Sequence, residues 1–133
     1  MTRDVLTIND AELAARMQVT VLSASVSEVV EQIPTAGSLQ PFGVLHGGAN
    51  AFLVEDAASR LALLNAPEGR IAVGTELNIS QLAPNLTGTA TAYAKVIRAG
   101  HRSLTAHVDI VDAENELTAT GRMTCVFIRQ PGQ

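Results

Sequence analysis

Between His46 and Pro67 the chain reads GGANAFLVEDAASRLALLNA, and no other stretch restricts the fold as tightly. From Ala49 to Leu64, 11 of 16 residues are apolar, and they do not keep to one stripe. A helix that is hydrophobic on most sides must be surrounded by other elements. The segment therefore predicts a buried helix over 48–64, ended by Pro67, Glu68 and Gly69. The second half of the chain supplies the surroundings. Residues 72–80, 87–99, 103–111 and 117–129 each alternate or are rich in β-branched side chains. In the third of these, Leu104, Ala106, Val108 and Ile110 take one face, and Thr105, His107 and Asp109 take the other. The turns between these strands, at Pro84-Asn85, Ala99-Gly100 and 112–115, are too short for parallel crossovers. The expected fold is α+β: an antiparallel sheet wrapped round one long central helix, as a single domain over 1–133.

Ahead of the helix the signals are weaker. Asn9 or Asp10 can cap a short helix through Met17. Residues 19–22 and 26–33 read as a hairpin split at Ser23-Ala24-Ser25, and 34–43 as a loop. Hydrophobic residues make up 47% of the chain and charged ones only 17%, which suits a subunit that buries surface against copies of itself. A net charge of −4, with no run of Lys and Arg, argues against nucleic acid as a partner. The single cysteine, Cys125, excludes an internal disulfide and a thiolate metal site. The N-terminus does not read as a signal peptide, so the sequons at Asn78 and Asn85 are chance matches. No segment approaches the roughly 20 apolar residues of a membrane span. A cytoplasmic protein is expected.

Gly47 and Gly48 stand where the loop enters the helix. Backbone N–H groups at a helix start have no internal partner and can receive negative charge, including the oxyanion of an attacked carbonyl. The same glycines would also serve as a plain turn, and His46 as a loop histidine bonded to backbone. Glu55 and Asp56 raise a different question, because an unpaired carboxylate is costly to bury. Arg60 lies four residues beyond Asp56, the spacing at which helix side chains meet. Glu55 has no such cation; at plus four it meets Ser59, and at minus three Phe52. It is either a base whose pKa is raised by desolvation or a residue on a solvated face. Gly47 and Glu55 are separated by roughly 12 Å of helix, so one subunit would not easily aim both at one carbonyl.

The stretch QPFGVLHGGANAFLVEDAAS resembles the signature of hotdog-fold acyl-CoA thioesterases, in particular the phenylacetate-pathway, 4-hydroxybenzoyl-CoA and 1,4-dihydroxy-2-naphthoyl-CoA group. The order of hairpin, long helix and antiparallel strands is similar, as is VGTELNISQLAP, so the likeness covers most of 18–129. The resemblance implies that Glu55 is the catalytic carboxylate, acting as general base or nucleophile. It implies that the Gly47 N–H polarises the thioester carbonyl, that Gln40 positions the thioester or water, and that Ser59 supports the nucleophile. His46 would serve loop geometry and the site's hydrogen bonds.

Gly48, Phe52 and Gln81 would border the substrate, and Arg102, in the turn 100–103, would contact coenzyme A phosphates. No metal or redox cofactor is implied. The acyl-CoA substrate would bind between two subunits of a homodimer with shared sites, within a homotetramer. Two positions depart from the group: Gln81 stands where many relatives carry histidine, and Ala83 where they carry a basic residue. With three Phe, one Tyr and no Trp, no aromatic stacking pocket is evident. A non-catalytic acyl-CoA-binding or regulatory hotdog protein is the alternative, opposed by Glu55 with Ser59 and Gln40. A hotdog hydratase is a third reading, opposed by the placement of His101 and His107 outside the motif.

Overall fold

The computed structural model describes residues 4–132, with the long helix α2 running Gly47–Asn65. His46 caps its start with extended backbone and a side chain that accepts from the Gly48 N–H. Its end is fixed by Pro67, which biases Ala66 away from helical geometry; Ala66 sits at ψ 138. The buried residues of α2 form one broad face: Ala49, Asn50, Leu53, Val54, Ala57, Ala58, Leu61 and Ala62. The expectation of a helix surrounded on all sides is thus modified. Gly48 and Glu55 remain exposed and Phe52 and Ser59 half-buried, because the sheet wraps only part of the circumference.

Six strands follow in chain order: β1 Thr20–Ala24, β2 Glu28–Pro34, β3 Arg70–Gln81, β4 Thr89–Ala99, β5 Ser103–Val111 and β6 Leu117–Arg129. They form one sheet in the order β1-β2-β4-β5-β6-β3, with every pairing antiparallel. Small side chains line its inner face opposite α2, among them Ala90, Ala92, Ala94, Ala106 and Ala119. At Gly121 a Cβ would lie 3.0 Å from Val54 of the helix and 2.7 Å from the Asn78 carbonyl of the neighbouring strand, so this position under α2 requires glycine. Bulges in β1, β3 and β4 bend the strands around the helix.

The hairpin turn falls two residues later than expected. Ser25 Oγ accepts from the N–H groups of Ser27 and Glu28, while the sequence break at Ser23 is a bulge within β1. The short helix α1 is only Leu13–Arg16, capped at Glu12 rather than at Asn9 or Asp10. Asn9 instead closes a turn by accepting from the Glu12 N–H. β3 pairs only with β6, which leaves its other edge unpaired over 12 residues among the described part of the chain. No helix among the described residues is long and apolar enough to cross a membrane.

Candidate active site

QPFG is a tight turn. The Gly43 N–H donates to the Gln40 carbonyl, Pro41 takes the second position, and Gly43 adopts φ +83. The Gln40 side chain commits Oε1 to the Phe42 N–H at 2.6 Å, leaving its Nε2 donors for a ligand. Leu39 bridges Leu45 across this turn, and the His46 N–H donates to the Ser38 carbonyl. The loop is thereby pinned to the start of α2.

His46 Nδ1 accepts from the Gly48 N–H at 2.8 Å, so the ring is a helix cap. Its carbonyl receives the N–H groups of Ala49 and Asn50. The Gly47 N–H, between them, is left without a partner among the described residues. At both glycines a neighbouring side chain occupies the space of a Cβ and would have to shift to admit one. A Cβ at Gly48 would lie 2.9 Å from His46 Nδ1, and one at Gly47 would lie 2.9 Å from Gln81 Nε2. A cavity of about 380 Å³ opens here, lined by Gln40, Gly47, Asn50, Gln81 and Asn85 among others. Its polar lining is uncharged. Phe42, at 90% exposure, stands on the adjoining loop, with Leu39 and Leu82 also exposed at its edge.

The carboxylates lie further along α2. Asp56 Oδ2 accepts from Arg60 Nε at 2.8 Å, as the four-residue spacing predicts. The same Nε stands 3.5 Å from Glu31 Oε1, and Arg60 also donates to the Val5 carbonyl at 2.8 Å. Glu31 is fully buried on β2 and was not anticipated, although its parity with Val29 and Ile33 places it on the inner face. Burial, then the negative charge of Asp56, push its pKa up to about 9 against the opposing pull of Arg60. Glu31 is therefore a neutral acid at pH 7.

Glu55 has no cation beside it. It is exposed in the single chain, yet its carboxylate rests against β3: a Cβ at Gly74 would lie 2.8 Å from Glu55 Oε2 and 1.9 Å from Met123 Cε. This partial desolvation, and next the negative charge of Asp56, raise its pKa. Gly74 opens the bulge in β3, so the strand is distorted where it meets the carboxylate. Ser59 lies one turn further, and Cys125 is a buried free thiol. Burial and then Glu55 raise that thiol to about 11, Ser59 drawing it partly back. Ser59 also borders a second cavity, of about 240 Å³, with Asp56, Arg60 and the N-terminal residues Asp4, Val5 and Thr7.

The sequence-derived residues thus fall into two groups within one chain. Gln40, Gly47 and Gln81 share the first cavity, whereas Glu55 and Ser59 lie along the helix and do not line it. Phe52 packs half-buried against the core between them. Gln81 is exposed, yet both ends of its amide are engaged within the chain, by the Gly47 carbonyl and Asn50. Arg102 is exposed in the β4–β5 turn; that turn lies by the Val126 end of β6, whereas Gln81 pairs with Ala119 at the other. Asn50 and Gly74 were missed. Asn50 left a readable signal, as the one amide within the apolar first turns of α2.

Comparison with known proteins places the chain in a family. Residues 42–119 match the family model described as Thioesterase superfamily. The chain is 32% identical over 105 residues to the 1,4-dihydroxy-2-naphthoyl-CoA hydrolase of Listeria monocytogenes, covering 78% of this chain and 85% of that one. A crystal structure of a Haemophilus influenzae thioesterase superposes with TM-score 0.87 at 28% identity, over 93% of this chain and 89% of the other. The Escherichia coli PaaI protein, from the phenylacetic acid degradation operon, superposes with TM-score 0.81 at 26% identity, over 90% and 86%. The sheet wrapped round α2 is the hotdog fold of these neighbours, and the chain belongs to the thioesterase superfamily.

Proposed function

We propose that the protein hydrolyses acyl-CoA thioesters to a free carboxylic acid and coenzyme A, as a homodimer with two shared active sites inside a homotetramer. Each site combines the Gln40–Gly47 loop of one protomer with Glu55 and Ser59 of the partner subunit. The observation that carries this reading is the division of the site. The unpartnered Gly47 N–H and the unpaired Glu55 carboxylate, raised in pKa, do not share a cavity within one chain. The unpaired β3 edge and the exposed Phe42, Leu39 and Leu82 supply surface for a second copy.

In the shared site the thioester oxygen accepts from the Gly47 N–H, with Gln40 Nε2 at hand for the thioester or the water. Glu55 takes a proton from water as its oxygen adds to the carbonyl carbon. The resulting oxyanion is held at the helix start. Its collapse breaks the C–S bond; the sulfur leaves with the electron pair and receives the proton from Glu55. A thiolate leaves readily, so the absence of a strong general acid in the lining is no obstacle.

A panel of aryl, short and long acyl-CoA thioesters, followed by thiol release, tests this. The wild type should hydrolyse at least one class, and Glu55→Gln should lower kcat roughly 1,000-fold. Full activity of the variant would remove Glu55 from the chemistry, and equal inertness of both proteins on every substrate would overturn the hydrolase reading in favour of a non-catalytic acyl-CoA-binding protein.

A further inference from the structure

Asn50 is 4% exposed in the first turns of α2, and its Nδ2 donates to Gln81 Oε1 at 2.9 Å. Gln81 Nε2 donates in turn to the Gly47 carbonyl at 3.1 Å. A carbonyl oxygen can only accept, so Gln81 must face it with nitrogen, and Asn50 must then donate to the oxygen that remains. The orientation of both amides is therefore dictated by Gly47. The Gln81 amide also fills the space that a side chain at Gly47 would occupy.

We propose that Asn50 and Gln81 are positioning residues, a two-amide relay that locks Gly47 in the orientation from which its N–H receives the thioester oxygen. This rests on the proposed role of that N–H. A pair of glycines has wide backbone freedom, and an oxyanion donor gains its effect only when fixed in advance. The relay restrains Gly47 from its carbonyl side, while the His46 cap restrains the following peptide. A packing role alone accounts poorly for Asn50. Its Oδ1 is buried with no partner among the described residues, a loss that an apolar side chain would not incur. The neighbouring buried positions of α2 are filled by Ala, Leu and Val.

The test uses the intact protein with Asn50→Ala and, separately, Gln81→Met. Each variant should lose roughly 10- to 100-fold in kcat with KM within about threefold of wild type. Two inert coenzyme A derivatives separate positioning from packing: a ketone with a methylene between sulfur and carbonyl, and a thioether of the same length without the oxygen. The ketone makes only the ground-state contact of the thioester carbonyl, so both variants should weaken its binding by about two- to threefold, in step with KM, and leave the thioether unchanged. Equal weakening of both, or a loss confined to KM, would overturn the relay. Wild type that prefers the ketone, with variants that keep the full preference, would refute the relay alone. Wild type with no such preference would refute the Gly47 reading and the relay together. Gln81→Met, at the exposed end of the relay, carries the test if Asn50→Ala does not fold.

Discussion

Replacing Glu31 by glutamine should make the protein more stable, and increasingly so as pH rises. One guanidinium, Arg60, faces two carboxyl groups: Asp56 at 2.8 Å and Glu31 at 3.5 Å. Asp56 holds the shorter contact, and Glu31, fully buried, keeps its proton with a pKa of about 9 against an ordinary value of 4.5. Between those two values the folded chain binds a proton that the unfolded chain has released. Stability is then fully present below pH 4.5 and falls by about 1.4 kcal/mol per pH unit until Glu31 ionises in the fold. From pH 5 to pH 8 the loss is roughly 4 kcal/mol, a large share of the stability of an ordinary domain. Glutamine has the same shape and never ionises, so Glu31→Gln abolishes this slope.

Urea unfolding at pH 5, 6.5 and 8, at one fixed protein concentration, measures the effect. Fixed concentration matters because dimer formation would itself shift the transition. Wild type and variant should agree within about 1 kcal/mol at pH 5. By pH 8 their midpoints should separate by roughly 1–3 M urea, the variant being the more resistant. Parallel decline of the two proteins, or a constant deficit of the variant at every pH, would refute the neutral state of Glu31.

Three further outcomes are expected. Gly74→Ala places a methyl group 1.9 Å from Met123 Cε and 2.8 Å from Glu55 Oε2, so the urea midpoint should drop and kcat should fall about tenfold or more; full activity would show that the carboxylate does not work from its seat on β3. His46→Ala removes the cap on the Gly48 N–H and should cost about 1 kcal/mol in urea unfolding, whereas His46→Asn, which retains an acceptor, should recover most of it. Cys125, buried and with its pKa pushed up to about 11, should resist a disulfide reagent at pH 8 in the folded protein and react as one thiol per chain after denaturation, as thiol titration will show.

The elements were legible wherever periodicity or punctuation was strong. The apolar run 48–64 located α2 to within one residue at either end, and β5 and β6 coincide with their alternating segments. The hairpin was displaced because Ser23 looks like a break, yet sits in a bulge, while the turn depends on Ser25 Oγ bonding its own neighbours. The pairing of Asp56 with Arg60 was readable from spacing. The presence of Glu31 beside them was not, because it requires β2 to lie across α2, a contact distant in sequence. In the same way, nothing local to Gln81 shows that its amide turns inward to Gly47, 34 residues away, rather than outward to a ligand.

Three glycines connect these findings, since each stands where a polar side chain of the site needs the space of a missing Cβ. Gly48 yields to the His46 ring that caps it, Gly47 to the Gln81 amide that restrains it, and Gly74 first to the buried Met123 side chain and then to the Glu55 carboxylate lying against β3. A motif such as HGG is thus more than a flexible joint. Its glycines admit side chains that hydrogen-bond to the same backbone, at the Gly48 N–H and the Gly47 carbonyl. Gly74 extends the reasoning to a position outside the motif: a carboxylate seated over a bare backbone, beside a bulge, keeps one side against the strand and one side open. An exposed Glu55 would otherwise be an ordinary surface residue. That seat, together with the absence of a neighbouring cation, distinguishes it from Asp56 and favours it as the base.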